Sequence, residues 1–229
     1  FQYNQPNWNF NEIGDLTGAD KLNTITTAVP FLIIGPDSRS GGMGDVGVAS
    51  TPDVNSMHWN PAKYAFVKDD MGIAMNYVPW LRSLVPDISL SYLSGYIRRN
   101  DNEVIGMSLR YFSLGDITFT DITGTTIGQY KPNELAASGA YARKLSENYS
   151  IAIAVRYIYS DLTGGQTLTG GLGTHAGQSI AADISSYFQK EIRLGRKDFD
   201  WAIGLNISNL GNKISYTETA VRDFIPVNM

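Results

Sequence analysis

Phe199–Ser208, FDWAIGLNIS, is the stretch whose reading decides the fold. Phe199, Trp201, Ile203, Leu205 and Ile207 alternate with Ala202, Gly204, Asn206 and Ser208. A period of two places each set on one face of an extended strand. Upstream, the same alternation recurs. Ile180, Ala182, Ile184 and Phe188 stand against Ser179, Asp183, Ser185 and Gln189. Ile151, Ile153, Val155, Tyr157 and Tyr159 stand against Ala152, Ala154, Arg156 and Ser160. A weaker, alanine-rich strand is expected over 134–143. Ile105, Met107, Leu109 and Tyr111 face away from Gly106, Ser108 and Arg110. Ile88, Leu90, Tyr92, Ser94 and Tyr96 read as one apolar set, and Met71, Ile73, Met75 and Tyr77 as another. The sheet so predicted has an apolar face and a small, polar face carrying Arg110, Arg156 and Asp183.

A soluble sandwich with its apolar face inward shows the same alternation. Two features favour a membrane barrel. The strands run about 9 to 14 residues, longer than the usual 5 to 6 and near the 9 to 11 that cross a bilayer at a tilt. The connections also alternate in length. Those at 98–103, 144–148 and 194–198 are tight and charged; those at 115–132 and 161–177 are long and rich in Gly and Thr. Short periplasmic turns and long outer loops are the outer-membrane pattern. The long loops carry Ile117, Phe119, Ile122, Tyr130, Leu168 and Leu172, apolar groups suited to protein contact.

Composition agrees with an all-β chain. Charged residues are only 17% of the sequence, against the quarter or so usual in soluble domains. The net charge of −4 and the lack of a basic patch argue against nucleic acid as a partner. With no cysteine, disulfides and thiolate metal sites are excluded. No apolar run approaches the roughly 20 residues of a membrane helix. No signal peptide is read at Phe1, so the chain reads as mature or never exported.

Before the strands lies a different kind of sequence. Residues 1–23 are irregular and Asn-rich, with Trp8 and Phe10 as apolar anchors. Residues 24–69 contain RSGGMGDVGVASTPDVNSMHWNPA, Arg39 to Ala62, which has neither helical nor strand period. Its glycines at 41, 42, 44 and 47 permit backbone conformations that side chains forbid, and Pro61 turns Asn60 away from helix. GGMGDVG lacks the lysine and the following helix of a phosphate-binding loop. The two histidines, His58 and His175, are too few and too far apart for a metal signature. Ser56 and Asp53 near His58 make no specific triad spacing, so a structural hydrogen bond for His58 and no catalytic residue are expected.

GGMGDVGVA and PDVNSMHWNPAKYAF together resemble the N-terminal hatch of FadL-type outer-membrane barrels, where a Gly/Ala-rich run leads into Asn-Pro-Ala before the first strand. With ITTAVPFLIIGPDSRS, PWLRSLVPDISLSYLSGY, LRYFSLGDITFTD and ARKLSENYSIAIAVRYIYSDL, the similarity extends over about residues 24 to 226 and is closest to the PorV branch, in the type IX secretion system of Bacteroidetes. The resemblance implies a transmembrane barrel of about fourteen strands, of the size range of bacterial barrels. Seven strands are read here, so the chain is expected to be roughly the N-terminal half of a longer protein, and Asp223–Met229 the start of another strand. In this picture 24–69 is the hatch, with Gly41, Gly42, Gly44, Asp45, Asn60, Pro61 and Ala62 as its motif, and 70–229 the barrel wall. The implied role is non-enzymatic and needs no cofactor. It is to bind the C-terminal signal domain of translocated cargo and to pass it from the SprA/Sov translocon to the PorU sortase complex, in contact with outer-membrane lipid or lipopolysaccharide. A FadL-like channel for hydrophobic small molecules and a lipopolysaccharide deacylase are the alternatives. The small, polar inner faces disfavour the first, and the histidines hardly support the second.

Overall fold

A computed structural model describes residues 27–80, 87–120, 123–165, 173–194, 197–217 and 222–229. Its framework is one curled antiparallel sheet, a half-barrel, in the order β1-β2-β3-β6-β7-β8-β9. The strands are β1 (Met71–Pro79), β2 (Ile88–Asn100), β3 (Glu103–Leu114), β6 (Asn133–Lys144), β7 (Tyr149–Asp161), β8 (Gly177–Leu194) and β9 (Lys197–Gly211). Each of the seven strands expected between Met71 and Ser208 is present. Between β3 and β6 the long connection is not irregular: β4 (Ile117–Thr120) and β5 (Thr126–Tyr130) form a hairpin of their own. Because neighbours run antiparallel, the tight turns fall at one end of the sheet and the long connections at the other.

The polarity of this sheet is inverted relative to a soluble protein. One rung of paired residues runs Met75, Leu93, Leu109, Ala137, Tyr157, Ile180 across six strands, and its large members are exposed. The adjacent rung runs Asn76, Tyr92, Arg110, Ala136, Ile158, Ser179 and faces the interior. Met71, Ile73 and Met75 keep 72%, 77% and 75% of their surface exposed, whereas Tyr92 and Tyr96 keep 2% and 4%. These numbers correct one expectation. The apolar set of β2 (Leu90, Tyr92, Tyr96) points inward, and Leu93 and Ile97 carry the outer face. The inward choice buries the tyrosine rings against the segment that fills the interior; Tyr64 and Tyr96 lie 5.2 Å apart between ring centroids.

That inner segment is built from single helical turns, each too short to leave a period in the sequence. Pro30–Ile33 and Pro61–Phe66 are 3-10 turns with proline at the start, where the missing N–H costs nothing. Ser38–Gly42 and Ser56–Trp59 are short α-helical turns. Asp37 caps the first of these by accepting from the Ser40 N–H at 2.8 Å. The small inner side chains of Ala140, Ala142, Ala152 and Ala154 leave room for Met57, Ala62 and Tyr64, which form one core cluster with them. Alanines therefore weaken the strand signal of β6 for a packing reason. A second cluster at the long-loop end gathers Val29, Phe31, Leu90, Phe112, Ile158, Ile214 and Ile225.

Asp223–Met229 does not form the expected further strand in this structure. It makes isolated bridges, Phe224 to Thr27, Asp223 to Ile214 and Asn228 to Ser208, and buries Ile225. Ser208 and Asn209 together oppose the single residue Asp183, a β-bulge with Asn209 at φ 61°.

Candidate functional site

The residues with chemical potential gather on the seam between the inner segment and the concave face. Asn60 is fully buried and closes three bonds at once. Its Nδ2 donates to the carbonyls of Val48 (3.0 Å) and Ser186 (2.9 Å), and its Oδ1 accepts from the Ala62 N–H (3.0 Å). The Ala62 carbonyl accepts from Ser150 Oγ at 2.7 Å, and its N–H also reaches Ser185 Oγ at 3.2 Å. Asn-Pro-Ala thus ties the glycine-rich run to β7 and β8. Lys63, also fully buried, donates from Nζ to the Gly47 carbonyl (2.7 Å) and Ser50 Oγ (3.0 Å). Burial lowers its pKa to about 8, with Asp53 opposing the shift.

The glycine-rich half of the motif sits differently. Gly41, Gly42, Gly44 and Asp45 are exposed. Gly44 has φ +82°, where a side chain would be strained. Gly47 is needed for close approach instead: a Cβ there would fall 2.2 Å from the Trp59 ring. Gly41 and Gly42 lie in the Ser38–Gly42 turn with ordinary φ and room for a Cβ, so neither needs to be glycine on steric grounds.

The three inner-face charges fall into two groups. Arg156 Nη2 meets Asp183 Oδ2 at 2.8 Å, its Nε donates to Ser138 Oγ at 3.0 Å, and its Nη1 donates to Asn209 Oδ1. Asp183 Oδ1 also accepts the Asn209 N–H at 2.7 Å, which the bulge in β9 aims inward. Arg110 takes no part in that group. Its Nη1 donates to the carbonyls of Phe31 (2.8 Å) and Leu32 (2.7 Å), and its Nη2 lies 2.7 Å from His58 Nδ1. A guanidinium only donates, so Nδ1 must accept, which places the imidazole proton on Nε2. Burial first, then the charges of Arg110 and Arg156, hold His58 well below its usual pKa. The ring is neutral at physiological pH and cannot act as a ready proton carrier there.

Ser56 does not face His58. Its Oγ donates to Asp53 Oδ1 at 3.2 Å and accepts the Asp53 N–H at 3.0 Å, a local turn contact. His175 lies at the long-loop end, its backbone N–H bonded to the Tyr216 carbonyl at 3.0 Å. Among the described residues no group of His, Cys, Asp and Glu is placed to hold a metal ion.

At that end, Ile117 is exposed on the β4–β5 hairpin, and Phe119 pairs with Gly128 through the backbone. The Tyr130 ring packs over Gly164, joining the hairpin to the β7–β8 connection, and burial with the Asp161 carboxylate raises its pKa to about 12. Ile122, Leu168, Leu172, Trp8 and Phe10 lie outside the described residues. Asn60 stands in the motif named from the sequence, but its three-way bonding is not visible there, and Asn209, the bulge residue, is not named from the sequence at all. Only Ile207-Ser208-Asn209-Leu210-Gly211, an Asn amid turn formers at a strand end, carries a hint of the second.

Comparison with known families gives a match over residues 17–229 to the type IX secretion system protein PorV. The chain belongs to that family. No curated protein matches it.

Proposed function

We propose that this type IX secretion protein is an outer-membrane docking platform. It is a FadL-type barrel wall with residues 24–69 as its hatch, and it binds the C-terminal signal domain of translocated cargo through its long loops. It receives cargo from the SprA/Sov translocon and delivers it to the PorU sortase complex, without catalysis or cofactor. The observation that carries this reading is the inverted polarity of the sheet. Met, Ile, Leu, Tyr and Trp face out over the length of the strands, while Ser, Ala, Arg and Asp face in. An apolar surface of that extent is costly in water and suits lipid. The tight turns then lie on the periplasmic side and the hairpin outside. The pinned interior favours docking over conduction, because Arg110 and Ser150 on the sheet donate to carbonyls of the inner segment and Asn60 of that segment donates back to the Ser186 carbonyl of β8.

The test replaces the Ile117–Tyr130 hairpin with a short Gly-Ser turn. Binding of an isolated cargo C-terminal domain to the reconstituted protein should weaken about tenfold or more if the hairpin holds an anchor residue. Unchanged affinity with both long loops shortened would remove the loops from the account.

One observation favours a second reading, a channel for hydrophobic small molecules. Pro30, Phe31, Ile33, Trp80, Ile88 and Phe112 line an apolar cleft of about 510 Å³ at the long-loop end. Fatty acid travelling with the protein through mild extraction, in place of secretion partners, would support it.

A further inference from the structure

A wide cleft lies away from the seam between the inner segment and the sheet. It opens at the long-loop end where β8 outruns β9. Gly211, the last residue of β9, pairs with Ala181, leaving Gly177, Gln178, Ser179 and Ile180 beyond it. Residues 212–217 after β9 fold over this step, and the walls are tied together. Asn212 N–H donates to the Ile180 carbonyl (3.2 Å), Ser179 Oγ to the Asn212 carbonyl (2.7 Å), and His175 N–H to the Tyr216 carbonyl (3.0 Å). The open cleft between them has a volume of about 990 Å³.

Its lining is two-sided. Tyr157 and Ile180 belong to the outward apolar rung and are exposed. Tyr157 OH donates to Gln178 Oε1 at 3.0 Å, and both residues line the cleft. Lys213, Arg222 and His175 also line it. Among the described residues no carboxylate lines the cleft, in a chain with 18 basic and 22 acidic residues. Lys213 Nζ is held 4.0 Å from the Phe224 ring centroid, which fixes the ammonium without neutralising it. Two basic side chains thus sit where the apolar band ends, beside an aromatic with one apolar and one polar side.

We propose that this cleft binds the phosphate-bearing headgroup of an outer-leaflet lipid, with its acyl chains along Tyr157, Ile180 and the outer face of β7 and β8. A phosphate accepts charge-assisted bonds from Lys213 and Arg222. The apolar rung supplies the half of the site that a soluble anion would not need. The inference rests on the proposed membrane placement of the sheet and adds a ligand to it.

The test titrates full-length protein in non-ionic detergent with dioctanoyl phosphatidic acid, read by native mass spectrometry. Dioctanoylglycerol and inorganic phosphate serve as the two half-ligands. Phosphatidic acid should bind, with both half-ligands far weaker. Lys213→Ala with Arg222→Ala should weaken it about thirtyfold, on the usual contribution of two basic residues near a lipid surface. Lys213→Arg should retain binding. Arg99→Ala with Arg193→Ala, removing equal charge at the tight-turn end, should leave it within about twofold. Equal binding by the two double variants would overturn the proposal, as would inorganic phosphate binding as tightly as the lipid. Reaction of an Ile203→Cys variant with an aqueous maleimide after reconstitution would instead strike the membrane placement itself.

Discussion

Two buried guanidiniums on the same concave face, Arg156 and Arg110, solve one problem in different ways. Arg156 is neutralised by Asp183 at 2.8 Å and links β6, β7, β8 and the β9 bulge. Among the described residues no carboxylate contacts Arg110; it uses two carbonyls and a neutral imidazole, all from the inner segment. A charge pair suits a contact within the wall, where both partners are fixed by the sheet ladder. Carbonyl acceptors suit a contact between the wall and a separately folded segment. They place no second charge in the interior, and their loss leaves the sheet standing. The first arginine braces the wall and the second fastens what the wall holds.

The largest effect should come from breaking the brace. Arg156→Leu leaves Asp183 buried and unpaired, and should cost about 3–5 kcal/mol in urea unfolding from vesicles. Adding Asp183→Leu should recover part of that loss, because the uncompensated charge goes with it. A double variant no better than the single would mean that the pair carries no special weight. Arg110→Leu should cost less overall, about 2–3 kcal/mol, the range for buried acceptors left without a charged donor. Its signature should be local: faster proteolysis within 30–37 while the β-sheet circular dichroism persists.

A third prediction sharpens the comparison through pH. The folded pKa of His58 lies below its unfolded value, so the unfolded chain binds the extra proton first as pH falls. Stability should therefore drop below about pH 6.5, the unfolded histidine value, and stay flat above it as far as this group is concerned. The groups facing His58 are Arg110 and Arg156, both cationic, and Tyr92 and Trp59, both neutral. Protonation would force Arg110 away from Nδ1, so the same 30–37 segment should loosen. His58→Gln should flatten the profile; an unchanged profile would place the pH response elsewhere. The smallest effect is expected at the exposed Asp116–Lys131 pair, 3.3 Å apart at the base of the hairpin. Lys131→Ala should change stability by no more than about 0.5 kcal/mol, since exposed ion pairs are worth little.

This contrast also marks how far the sequence could be read. All seven wall strands follow from a period of two, because one face meets small or polar neighbours and the other does not. The phase of β2 does not follow. Leu90, Tyr92 and Tyr96 look like a lipid-facing set, yet all three meet the inner segment: Tyr96 clusters with Met57 and Tyr64, Leu90 with Val29 and Phe31, and the Tyr92 ring lies edge-on to His58. Periodicity separates two faces without saying which one is outside when the interior is itself filled with protein. Arg110, Arg156 and Asp183 were legible as inner-face charges; that Arg110 would bind carbonyls 78 and 79 residues away was not. The β4–β5 hairpin escaped because its strands, Ile117–Thr120 and Thr126–Tyr130, are too short to alternate visibly.

The most direct test lies on β2, where the outward and inward sets were hardest to tell apart. The chain has no native cysteine, so a single one can be placed at Leu93 or at Ser94 and labelled with a polarity-sensitive fluorophore. In vesicles carrying a lipid-borne quencher, the probe at Leu93 should be quenched strongly and the probe at Ser94 hardly at all. Equal quenching at both, or quenching at Ser94 alone, would contradict the inverted sheet and the membrane placement built on it.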